Sequence, residues 1–138
     1  MTIQLSVAAR NARLDAIETT VGTSPKLRLY SGAPPANCAA ARTGTLACEI
    51  PLPSDWAAAA SGGSKALAGS WAGTGAAAAG AGTNIGHYAL MDSAGTTCHE
   101  QGSVTVTGGG GDLTLDNINI AQNQAVNITS WTKTDGNA

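Results

Sequence analysis

Only one stretch of this 138-residue chain carries a helical apolar period, and almost everything after Lys26 breaks into short alternating runs separated by glycine, alanine and proline. Between Leu5 and Val21, the apolar side chains of Val7, Leu14, Ile17 and Val21 fall on one narrow stripe, with Ser6 placed to cap the first turn and Gly22 to stop the last. Beyond it, Lys26–Tyr30 alternates with Leu27 and Leu29 on one face, Ser103–Thr107 with Val104 and Val106, and Asp112–Asp116 with Leu113 and Leu115. Leu46–Ile50, Lys65–Trp71, Gly86–Met91, Thr97–Gln101 and Val126–Lys133 bring the expected strands to about eight. The Asp92–Gly95 and Gly108–Gly111 connections accept positive φ, which favours hairpins and therefore antiparallel neighbours. The pattern predicts a mainly β chain: an antiparallel, jelly-roll-like β-sandwich over residues 26–133 behind one N-terminal α-helix over residues 5–21, together one domain spanning 1–138.

Large side chains are scarce in this pattern. Phe is absent, aromatic residues are 4% of the chain, and much of the 43% hydrophobic fraction is alanine, so the expected core is thin. A thin core gains little against chain entropy, and contact with a partner surface then contributes an unusual share of stability, which predicts an oligomer or a docked protein. Trp56, Trp71 and Trp131 are the natural large core fillers. Trp56, between Pro53 and the Ala57–Ala60 run, is the tryptophan expected at an intermolecular contact.

A formal net charge of −2 with only 12% charged residues gives no general attraction for nucleic acid. The charge is uneven: Arg10, Arg13, Lys26, Arg28 and Arg42 dominate the front, while acids outnumber Lys65 and Lys133 behind it. No secretory signal pattern opens the sequence and its alanine runs are too short to span a bilayer, so no membrane role is expected. Three cysteines without close CxxC spacing suit neither a disulfide framework nor a zinc ribbon; buried free thiols are expected, with a Cys38–Cys48 bridge as the alternative.

The helix places charge oddly. Arg10 and Arg13 sit early and Asp15 and Glu18 late, against the helix-dipole preference, so local helix stability does not account for them. Arg13 and Glu18 flank the stripe as seam residues do, which makes Val7, Arg10, Arg13, Leu14, Ile17 and Glu18, with Trp56, the candidate interface toward a second copy or a different protein. The competing reading packs the same stripe on the chain's own sheet with its charges solvated.

The chemical motifs are weak. Gly73–Ala78 fits a loose dinucleotide fingerprint with Asp92 downstream, but no second βαβ unit follows; Gly108–Gly111 lacks the Lys-Ser/Thr pair of a phosphate loop. His87, Cys98, His99 and Glu100 could suggest a metal or a thiol nucleophile, yet neighbours on a strand point to opposite faces. No catalytic, cofactor-binding or metal-binding residue is expected.

Residues Leu5–Ala40, Leu52–Leu67, Gly86–Asn117 and Thr129–Ala138 together resemble small structural proteins of tailed double-stranded DNA bacteriophages, most closely a capsid cement, or decoration, protein. The resemblance implies a small β jelly roll that binds the outer surface of the head, contacts the major capsid protein, joins neighbouring capsomers and forms a homodimer. It places the protein on the virion exterior after synthesis in the bacterial cytoplasm. The alternative is a tail or fibre β-sandwich module binding a host glycan or receptor, which requires exposed tryptophans in a cleft. An enzyme is the third reading and requires His87, His99 and Glu100 to converge on a pocket.

Overall fold

A computed structural model describes residues 2–136. Helix α1, Val7–Val21, begins two residues inside the expected span because Ser6 is its cap: the Ser6 hydroxyl accepts from the Ala9 amide at 3.2 Å. It ends at Gly22, whose amide donates to the Glu18 carbonyl. Ten strands follow: β1 Lys26–Ser31, β2 Leu46–Pro51, β3 Ser64–Ala66, β4 Trp71–Gly75, β5 Thr83–Met91, β6 Cys98–Val106, β7 Leu113–Leu115, β8 Asn119–Ile120, β9 Ala125–Ile128 and β10 Thr132–Thr134.

Eight of them form one sheet, ordered β7-β6-β5-β1-β2-β4-β9 with β8 beside β5; β3 and β10 pair separately as a two-stranded ribbon against which α1 lies. The large sheet bends until its two ends nearly meet, giving a mainly antiparallel β-sandwich with a barrel-like wrap; nothing in the strand order singles out a jelly roll.

Several strands differ from their sequence pattern. Thr97–Gln101 and Ser103–Thr107 belong to one strand, β6; Lys65–Trp71 divides between β3 and β4, and Val126–Lys133 between β9 and β10. The expected hairpin at Gly108–Gly111 is replaced by a loop that returns the chain parallel to the end of β6, pairing Val104 with Leu113 and Val106 with Leu115. Gly108 and Gly110 take φ of 89° and 81°, and Asp112 then fixes the register, its carboxylate accepting from the Ser103 amide at 2.9 Å and hydroxyl at 3.0 Å. These bonds hold Asp112 below the usual carboxylate range.

The core is built around the tryptophans that the missing phenylalanines made necessary. Trp56, Trp71 and Trp131 pack mutually with ring centroids 5.5–6.0 Å apart, amid Leu27, Leu29, Ile50, Leu90, Leu113, Ile120 and Ile128. Their indole N–H groups are used internally: Trp56 donates to the Gly22 carbonyl at 2.9 Å and Trp71 to the Trp56 carbonyl at 3.0 Å. A smaller cluster of Tyr30, Ala89 and Met91, with Leu46 and Cys98, lies on the other face of the sheet.

Candidate functional site

Most of the candidate interface is engaged within the chain. Leu14 is buried, and Ile17 is half-buried against the core. Arg10 is also buried, donating through Nη1 to the Asp135 carbonyl at 2.9 Å, while Arg13 pairs with the Asp135 carboxylate at 3.1 Å. Glu18 does not reach across a seam; with Asp15 it grips Lys65 of β3, both carboxylates standing 2.7 Å from the ammonium. Trp56 is wholly interior, which corrects the expectation of an intermolecular contact there. The stripe therefore packs on the chain's own β structure, as the competing reading has it, and leaves exposed Val7, the outer side of Arg13 and part of Ile17.

The Lys65 cluster fixes where that ridge sits. Burial alone would lower Lys65, but its hydrogen bonds to Asp15 and Glu18 outweigh burial and hold it above its ordinary value. Asp15 is held below the carboxylate range by Lys65 and by the Ala60 amide. On either side of the Arg13–Ile17 ridge lies a shallow depression: one of about 260 Å³ reaches His99, and one of about 310 Å³ reaches Lys133 and Asp135.

The chemistry-bearing residues do not converge. His87 is fully buried, stacked on Tyr30 at 5.2 Å with Nδ1 bonded to the Gly32 carbonyl at 2.8 Å. Glu100 is on the opposite face, accepting from the Tyr88 hydroxyl and pairing with Lys133 at 2.7 Å, and His99 faces the helix. Burial pushes the Cys48 and Cys98 thiols up to about 11, so neither carries the thiolate a nucleophile needs at neutral pH. All three cysteines are free; Cys48 lies in the core, where it bonds the Thr74 carbonyl, and the neighbour of Cys38 is Cys98. Among the described residues, no group of three or more His, Cys, Asp or Glu is placed to hold a metal ion, and no helix is long and apolar enough to cross a membrane.

The long Gly32–Gly44 connection is tied down: Arg42 donates to the carbonyls of Asn37, Cys38 and Ala40 and to Gln101, which in turn bonds the Pro35 carbonyl at 2.7 Å.

A further concavity lies elsewhere, where the sheet fails to close. A trough of about 540 Å³ separates β7 from β9, floored by buried Leu115 and Val126 and walled by Thr107, Thr114, Asn127, Thr129 and Ser130. Among the described residues no aromatic ring lines it, so those residues supply no platform on which a sugar would stack. Sequence reasoning missed this trough because it depends on which strands become edges; the Thr/Asn content of 114–130 was the available signal. Comparison with protein families, curated proteins and solved structures gives no match.

Proposed function

We propose that this chain is a structural virion protein that binds the outer surface of a tailed-phage capsid and cements neighbouring capsomers. The observation that carries this reading is the disposition of its reactive groups: His87, Glu100, Lys65 and the thiols are engaged inside the fold, while Val7 and the Arg13–Ile17 ridge stay open on a helix anchored by the pairing of Asp15 and Glu18 with buried Lys65. Such a surface suits rigid attachment. Many moderate contacts, each present only in the assembled shell, add up to strong resistance against shell opening. The resemblance to decoration proteins supplies the capsid as the surface. The tail-module alternative loses its motivating feature, since all three tryptophans are buried.

The test is binding of purified protein to heads, lacking it, of the phage that encodes it. Val7→Asp, Arg13→Glu and Ile17→Asp combined should lower occupancy at least tenfold, because they remove apolar area or reverse a charge at two exposed positions and at the half-buried Ile17 between the two depressions. Full occupancy by a folded triple variant would reject this surface.

A further inference from the structure

The segment preceding α1 has the composition of a strand and, among the described residues, no strand partner. In Thr2-Ile3-Gln4-Leu5-Ser6 apolar and polar residues alternate with period two, yet residues 2–6 belong to no helix or strand. Ile3 is 79% exposed, more than any other large apolar residue described. Leu5 is half-buried, so the unfilled contact of this alternating segment centres on Ile3.

The trough has the complementary deficiency. β7 and β9 are the two ends of the eight-stranded sheet, each paired on one side only, to β6 and to β4. Alternate residues of each strand therefore direct backbone N–H and C=O groups into the gap. A strand laid there would turn every second side chain down onto Leu115 and Val126 and the others up beside Thr114 and Asn127. Ile3 and Leu5 suit the floor, and Thr2, Gln4 and Ser6 suit the rim. The four residues of β9 span about 13 Å, the reach of a short inserted strand. Residues 2–6 carry no charged side chain and the trough only Asp116, so insertion strands no buried charge.

We infer that residues Thr2–Ser6 of one copy insert as a strand between β7 and β9 of a second copy, and that reciprocal insertion closes a two-fold dimer. Residues 2–6 pair with neither β7 nor β9 of their own chain, so a strand supplied there by this segment comes from a second copy. Exchange in both directions satisfies both edges and gives a closed pair, whereas one-way insertion would propagate chains. This inference does not depend on the capsid reading.

Sedimentation of the full chain at micromolar concentration tests it, together with amide hydrogen exchange. Wild type should sediment as a dimer, and Ile3→Asp with Leu5→Asp should weaken association at least about 100-fold, since each places a carboxylate over an apolar floor. Edge amides of β7 and β9 should exchange at least about tenfold more slowly in wild type than in that variant. As a check independent of the variant, an excess of synthetic peptide spanning residues 2–7 should convert the wild-type dimer to monomer. A monomeric wild type overturns the inference. So does a dimer that survives both the substitutions and the peptide, or one whose β7 and β9 amides exchange as fast as the variant's.

Discussion

Replacing Asp15 and Glu18 together by Asn and Gln is expected to lower the melting temperature by about 10 °C or more, whereas Lys65→Met should shift it by less than about 3 °C. The asymmetry follows from exposure. The Lys65 side chain is 0% exposed, and without its acids the ammonium has no counter-charge, only neutral acceptors such as the Ala58 carbonyl at 2.9 Å. A stranded buried charge is among the most destabilising changes a fold can suffer. The acids are 45% and 27% exposed, so when Lys65 becomes an apolar residue of similar volume they turn to water. Differential scanning calorimetry of the two variants decides this, and equal losses would show that the cluster is an ordinary surface pair.

The same cluster sets a pH dependence. Asp15 is depressed in the folded state, so its contribution is present above the unfolded carboxylate value of about 3.9 and is lost as pH falls through the lower folded value. Lys65 is raised, so its contribution is complete below the ordinary lysine value of about 10.4 and is lost only as pH climbs through the higher folded one. Docking of α1 should therefore be flat from about pH 5 to pH 9 and weaken below about pH 4.

Trp56→Ala is expected to destabilise the protein by about 3–5 kcal/mol, a large part of the stability of a domain this size. It empties the centre of the indole cluster and removes the donor to the Gly22 carbonyl at the end of α1. Trp56→Phe should retain most of the burial and lose chiefly that hydrogen bond and part of the volume. Equilibrium urea unfolding distinguishes this from a contact role, in which stability would stay within about 0.5 kcal/mol of wild type.

What the sequence made legible was local alternation. Leu27 with Leu29, Leu113 with Leu115, and Val126 with Ile128 all point into the core as their spacing predicts, and Ser6 and Gly22 bound the helix. Gly102 hid the continuity of β6, because a strand normally avoids glycine; here a side chain would strike the Tyr88 ring, so close packing demands its absence. Arg10 and Lys65 were illegible for a different reason. Charged residues read as surface until a carbonyl or a pair of carboxylates is known to meet them inside. The parallel return of β7 depended on Asp112 reaching Ser103, a contact that spacing alone does not disclose.

The proposed role is adhesion to a particle through the surface of the anchored helix α1. Cryo-electron microscopy of the intact virion tests it most directly: density matching this fold should recur over the outside of the head, bridging capsomers with α1 toward the shell. A head bare of that density, with the protein confined to the tail or missing from the particle, would contradict it.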